Sequence, residues 1–555
     1  MTAAVGPVGR RIAAAATLIA ALTVVTRSAG FLRTLVFAGA VGTTDLGDIY
    51  QTANLIPNII FEIVAGGALT TLVVPLLAGP VADSDRDRVA GTASALLTWT
   101  VALLIPLAGL VAAFASPIVS LLANHASAQE VAVGARMLRV FAIQLPLYGV
   151  GIVLTGVLHA HHRFAWPVLA PLLSSVTVIG AYLAFAAVEG AGTTVAEVGL
   201  AGELILSVGT TLGVAVLTLC LILPVRTLGL RWRARFAFGA DVRRRAVGLA
   251  GAAVFTVAAQ QLTLGYLAYL ANGGPTGTLV LYTLAQTMFL LPWAVLIVPL
   301  STPTFPILAE ATAAGDVARF DATLARVTRA VLLCAGLGSA ALIGLAGPIG
   351  HLLSAFTATH PSPATLTDGI VAFAPGLLGF AVLALFNRAL YAAGETSRAT
   401  AAIVLGWAIT ALAAFVVTAR VPEAERVVAL GAAHSIGMTV LGGALLAVVA
   451  WRRGPAALAG FGRVLLVSLG GVLVGATAGW LVSMTVMGNT PRVAGALFAG
   501  MLAGVAVAGG YLGVTLALDR GDVRPVLAVI SRRLSRLLRR GARGRGRGAA
   551  AAGDR

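Results

Sequence analysis

Lysine is absent from this chain of 555 residues; all 38 of its basic residues are arginine. Acidic residues number only 21, and charged residues of both signs make up 11% of the sequence. A water-soluble protein of this length needs far more polar surface, with about 25% of its residues charged. Cysteine is nearly missing too. Cys220 and Cys334 both lie in apolar runs, with no disulfide framework and no metal-ligand spacing. The pattern G-x-x-x-x-G-K-[ST] is absent, which excludes an ATP-binding P-loop. No Ser-His-Asp or paired-carboxylate arrangement has a workable spacing. The chain therefore reads as a non-enzyme that needs no cofactor and no metal.

What is present is hydrocarbon. Apolar residues make up 59% of the chain, and the mean hydropathy is +0.96. The apolar runs are long and unbroken, unlike the alternating strands of a membrane barrel, so the fold class is an all-α integral membrane protein. With about 20 apolar residues per span as the ruler, the sequence predicts 14 transmembrane helices. Their cores are 14–40, 49–78, 90–115, 135–159, 166–188, 201–224, 246–271, 278–308, 327–347, 369–393, 397–418, 428–450, 464–486 and 494–517. Arg10 and Arg11 before an apolar run resemble a signal peptide. The run is too long for one and contains Arg27 and Arg33, so it reads as a retained first span.

Arginine placement supports an even count. With the N-terminus inside the cell, the inner loops include DSDRDR, HAHHR, the strongly basic VRTLGLRWRARFAFGADVRRR, ARFDATLAR, GETSR and WRRG. The outer loops carry few arginines, as positive-inside orientation requires. Both termini are then cytoplasmic. The net charge of +17 sits in loops and in an Arg- and Gly-rich tail. Anionic lipid headgroups explain it there, and nucleic acid is not an expected partner. Within the tail, 525–540 reads as a basic amphipathic helix on the membrane surface.

The basic loop 225–245 divides the first twelve spans into two sixes. Weak internal similarity crosses it, with corresponding points roughly 230 residues apart. Spans two and eight both combine amides with prolines. The expected domains are a six-span lobe at 1–224, the linker 225–245, a second six-span lobe at 246–450, a final helix pair at 464–517 and the tail 518–555. Two lobes of like topology are a parallel repeat, which holds substrate between its halves.

Polar groups inside spans carry the functional signal. Span one holds Arg27 and Arg33. Span two holds Asp48, Asn54, Pro57, Asn58, Glu62, Gly66 and Gly67. Arginine at a helix centre costs roughly 3 kcal/mol on insertion scales, so a chain keeps it for a cavity, a partner or a ligand. The plain alternative is snorkelling from a span end. The two arginines point about 120° apart and are separated by roughly 9 Å along the axis. That suits one facing a cavity and the other its rim or a neighbouring helix. Span seven adds Gln260 and Gln261, span eight Gln286, span four Arg136 and Arg139, and span ten Arg388. Guanidinium forks match phosphate oxygens, so a cationic cavity fits a phosphate-bearing substrate. A purely structural Glu62–arginine pair is the competing reading. The cluster His159, His161, His162 and Arg163 is the best metal candidate, but it lacks carboxylate or cysteine partners and reads better as a headgroup-facing turn.

At these residues the chain resembles a known family, the MurJ (MviN) lipid II flippases of the multidrug/oligosaccharidyl-lipid/polysaccharide exporter superfamily. TRSAGFLRTLVFAGAVG resembles its first span and ANLIPNIIFEIVAGGALTTLVVPLL its second. HHRFAWPVLAPLL, YTLAQTMFLLPWAV and LYAAGETSRAT follow in the family's order, and the resemblance covers residues 12–455. It implies a carrier of the bacterial inner membrane. The carrier moves undecaprenyl-pyrophosphate-linked peptidoglycan precursor to the outer leaflet, with the last helix pair forming a groove for the polyprenyl tail. It also implies that Arg27, Arg33 and Asp48 belong to the substrate site. Asn54, Asn58, Glu62, Gln260, Gln286 and Arg388 complete the expected binding set. Partners are the lipid-linked precursor, membrane lipids and cell-wall synthesis proteins. Phe61 and Glu62 stand where many members carry basic residues, and Thr287 stands at the place of a family arginine. Two other readings stay open. One is an exporter of another polyprenyl-linked glycan or of drugs. The other is a non-transporting scaffold of cell-wall synthesis.

Overall fold

Lipid offers no hydrogen bonds to a bare backbone, so a chain this apolar must satisfy its amides within each segment. The structure, a computed structural model, describes residues 7–64, 70–236, 240–488 and 492–521, and among them there are helices and no strand. In order these are α1 (Pro7–Ala40), α2 (Asp45–Glu62), α3 (Thr70–Ala82), α4 (Arg86–Ala113), α5 (Ala115–Leu122), α6 (Ala128–Phe141), α7 (Gln144–Ala160), α8 (Ala165–Val188), α9 (Leu200–Arg226), α10 (Ala240–Ala271) and α11 (Thr278–Pro292). A π-helical turn at Trp293–Ile297 follows. Then come α12 (Val298–Ser301), α13 (Thr304–Ala313), α14 (Val317–Gly344), α15 (Ala346–Phe356), α16 (Pro363–Phe373), α17 (Gly376–Ala392), α18 (Thr396–Thr418), α19 (Arg426–Arg453), α20 (Phe461–Met487) and α21 (Val493–Leu518).

Eleven helical spans among the described residues are long and apolar enough to cross a membrane, or twelve if α16 and α17 are one broken span. Those twelve correspond in order to the third through fourteenth expected spans. The first two expected spans fall on α1 and on the α2–α3 segment, which are outside that set. The Gly66–Gly67 pair and the basic tail lie outside the described residues.

Polar residues cap the helix starts. The Thr44 hydroxyl accepts from the Gly47 amide at 3.1 Å and opens α2. Ser127 and Glu130 form a reciprocal capping box at α6. Asp85 and Asp316 accept from amides three residues on, at Arg88 and Arg319.

The described helices fall into two compact units. The first comprises Met1–Leu291, Ile349–Gly376 and Glu395–Ala444; the second comprises Pro292–Pro348, Leu377–Gly394 and Leu445–Arg555. In the first, α8 packs on α1 and α9, α7 on α4 and α9, and α2 on α6. Small residues allow the approach: a Cβ on Gly209 of α9 would lie 2.3 Å from the Ala181 methyl of α8. In the second, α14, α20 and α21 pack together. A Cβ on Gly336 would fall 1.9 Å from the Ser468 hydroxyl and 2.6 Å from that of Tyr511. Close backbone approach through glycine is the usual device for helix association in lipid, where apolar surface alone gives no drive to pack.

Candidate substrate-binding cavity

Helices α1, α2, α7, α8, α9 and α11 of the first unit surround a cavity of about 340 Å³. Each contributes polar groups from one face. Arg33 and Thr34 come from α1, and Tyr50, Gln51, Asn54 and Asn58 from α2. The spacing of the α2 set (i, i+1, i+4, i+8) keeps it on one side of the helix. Tyr148 of α7, Ser174 and Tyr182 of α8, Thr210 of α9, and Thr283 and Gln286 of α11 complete the polar lining. Among the lining residues Arg33 carries the single formal charge.

One wall is rigid. The Tyr50 hydroxyl lies 2.9 Å from the Tyr182 hydroxyl and 2.6 Å from that of Thr210, and Thr210 donates to Leu206 O at 2.7 Å. Phe37 stacks on Tyr50 with ring centroids 5.1 Å apart, and Phe141 meets Tyr50 edge to face. These rings are buried, so the hydroxyls hold fixed positions at the cavity edge. The other wall is less committed. Thr283 donates to Gln51 Oε1 at 2.7 Å, and Tyr148 donates to Asn58 Oδ1 at 3.3 Å. Gln286 donates to the Tyr282 hydroxyl at 3.3 Å. Asn54 Oδ1 is buried without a hydrogen-bond partner. A buried amide oxygen without a partner is a costly state that a ligand or water relieves.

The structure divides the sequence-derived candidates. Arg33, Asn54, Asn58 and Gln286 share the cavity. Arg27 is exposed on α1 and is not among the lining residues. Asp48 sits elsewhere: its carboxylate accepts from the amides of Gly277 (2.6 Å) and Val280 (3.1 Å), capping the start of α11. Glu62, the last residue of α2, is exposed, and Gln260 is half-buried on α10; neither lines the cavity. Arg388 belongs to the second unit and donates to Ala384 O on its own helix. Arg136 makes a two-pronged bond to the buried carboxylate of Glu203, at 2.8 and 2.6 Å, which ties α6 to α9. At the histidine turn, His161 Nδ1 lies 2.8 Å from Val157 O and Arg163 donates to Pro224 O at 3.1 Å, so these groups serve the backbone. Sequence reasoning missed Gln51, Tyr50, Tyr148, Tyr182, Ser174, Thr210 and Thr283. The available signal was three tyrosines in apolar helices, because a buried phenol needs a partner.

A family model described as lipid II flippase MurJ matches residues 37–498, most of the chain. The chain belongs to that family. The lipid II flippase MurJ of Burkholderia cenocepacia is 26% identical over 388 residues, covering 67% of this chain and 72% of that protein. A probable lipid II flippase MurJ of Synechocystis is 27% identical over 245 residues, so the chain spans 44% of that relative's length. Among solved structures, a lipid II flippase MurJ in an inward closed conformation matches with a TM-score of 0.70 at 16% identity. That match covers 89% of this chain and 99% of the other. An inward-facing multidrug transporter of the MATE family, in the MOP superfamily, matches with a TM-score of 0.65 at 14% identity, covering 78% and 95%. At such identities the likeness is one of fold. Two of the departures from the MurJ pattern make contacts within the first unit. Phe61 packs against the Tyr148 ring at 4.2 Å, and the Thr287 hydroxyl donates to Thr283 O at 2.7 Å.

Proposed function

We propose that this chain carries undecaprenyl-pyrophosphate-linked peptidoglycan precursor from the inner to the outer leaflet by alternating access. One observation carries the reading: Arg33 is the single formal charge on a cavity otherwise lined by amides, hydroxyls and rings. A guanidinium facing such a cavity selects a phosphate oxygen. Asn54, Asn58, Gln51 and Gln286 supply neutral donors and acceptors for sugar and peptide groups. A carrier of cationic drugs needs an acid in its cavity, and none lines this one.

The cavity takes its lining from both expected six-span halves, through α1, α2 and α7–α9 on one side of the loop 225–245 and through α11 on the other. That fits substrate handed across a repeat. The helix pair α20 and α21 supplies a polyprenyl groove in this scheme. Both termini are cytoplasmic, the membrane is the bacterial inner membrane, and an ion gradient or the membrane potential drives the cycle. Cell-wall synthesis proteins are the expected protein partners.

The experiment is rescue of a strain depleted of its own lipid II flippase. The wild-type chain restores growth and clears inner-leaflet lipid II, and Arg33→Ala restores neither. If lipid II does not accumulate without rescue and another lipid-linked glycan does, the carrier reading stands with a different cargo. Full rescue by Arg33→Ala removes the anion-binding role.

A further inference from the structure

The loop joining α9 to α10 lies along α4. From Leu230 to Phe236 it makes no helical turn, and its residues run Arg231, Trp232, Arg233, Ala234, Arg235, Phe236. Its main chain is pinned to one stripe of α4. The amide of Arg233 donates to Ser94 Oγ and that of Arg235 to Thr98 Oγ1, both at 3.2 Å. Trp99 Nε1 donates to Phe236 O at 2.9 Å, and the two rings meet edge to face at 5.5 Å. The contacts step from residue 94 to 99 as the loop advances from 233 to 236. The segment therefore runs away from the Arg86 end of α4 and down into the span.

A cavity of about 570 Å³ lies beside this segment, walled by Leu97, Val101, Ile105, Pro106 and Trp232. It shares no lining residue with the Arg33 cavity. Its charge comes from Arg233, which lines it, with Arg231 and Arg235 two residues to either side; all three are exposed. Arg235 turns its side chain back toward the start of the helix: its Nη1 lies 3.1 Å from where a Cβ on Gly91 would be. Gly91 precedes Thr98 by seven residues, about 10 Å along the axis. The Arg235 guanidinium therefore lies nearer the start of α4 than its own backbone does, as a side chain that reaches for a headgroup would.

We propose that this groove is a binding site for an anionic phospholipid, distinct from the transport cavity. Its phosphate sits on Arg233 and Arg235, and one acyl chain runs along Leu97, Val101 and Ile105. Charge selects the headgroup, because three arginines within five residues favour an anionic over a zwitterionic lipid. Length fits the tail. Gly91 to Pro106 covers about 22 Å of helix, enough to run from headgroup level past the bottom of one leaflet, whose hydrocarbon is about 15 Å thick.

The test uses the full chain in phosphatidylcholine nanodiscs doped with a phosphatidylglycerol that carries a diazirine in its acyl chain. Phosphatidylcholine with the same tail, at the same fraction, is the control. Adducts are mapped by peptide mass spectrometry. Phosphatidylglycerol adducts should concentrate on 94–106 and 232–234, about tenfold or more above the control. The double variant Arg233→Gln, Arg235→Gln should equalise the two lipids. Val101→Trp fills the groove, keeps every arginine, and should remove labelling at this site; it carries the test if thermal unfolding shows the double variant misfolded. Equal labelling by the two lipids in the wild type, or undiminished labelling of Val101→Trp, overturns the proposal.

Discussion

Tyr50 in the first unit and Tyr511 in the second are both fully buried tyrosines in apolar helices, each hydrogen-bonded to a neighbouring hydroxyl. Their surroundings differ. The Tyr511 hydroxyl donates to Leu333 O at 2.7 Å and lies 3.0 Å from Ser468, which donates in turn to Leu332 O at 3.1 Å. Glycines 336, 471 and 475 bring α14, α20 and α21 so close that the polar groups consume one another. Around Tyr50 the chain of bonds stops at a cavity edge, and across that cavity the Asn54 oxygen has no partner. Both regions place hydroxyls and amides in hydrocarbon. What separates a binding site from a helix clamp is unspent hydrogen-bonding capacity, not the number of polar residues.

Substitutions can break this contrast or sharpen it. The largest expected effect is Arg33→Ala, which should lower lipid II transport on the order of 10–100-fold with an unchanged melting temperature, because the side chain is exposed. A large loss of stability instead would make Arg33 a structural residue like those of the second unit. Next is Gly336→Ala, whose methyl has no room beside Ser468 and Tyr511. It should cost about 1–3 kcal/mol of stability, read as a lower unfolding temperature in detergent, while transport per folded molecule holds. Asn54→Ala follows, with transport down by about fivefold and stability equal or higher, since it deletes an unpartnered oxygen. The smallest effect is that of Arg27→Gln, for which vesicle transport within about twofold of wild type is expected. A loss matching that of Arg33→Ala would extend the site beyond the described cavity.

Much of the scaffold was legible because hydrocarbon imposes a simple ruler. The twelve spans after the first two follow from run length alone. The site was half legible. Arg33, Asn54, Asn58 and Gln286 betrayed themselves as polar groups that lipid does not tolerate, whereas Arg27, expected beside Arg33 in the binding set, is not among the cavity's lining residues. Ser174 and Thr210 gave no such signal, because serine and threonine are common in packed membrane helices and back-bond to their own turn. Asp48, expected in the binding set, lies outside the described cavity. The resemblance put it in the substrate site, and its partners are amides about 230 residues further on, invisible to local pattern.

That cap has a consequence for how the protein is made. Asp48 bonds the amide of Gly277, 229 residues downstream. At ribosomal rates of about 5–20 residues per second, the partner emerges on the order of 10–50 s after the acid. Through that interval the carboxylate has only water, headgroups or an insertion partner to satisfy it. The bond that ties α2 to the start of α11 therefore forms only once α11 is made. A chain truncated before Gly277 should leave its first spans shallow and open to proteases, although every residue of those spans is present.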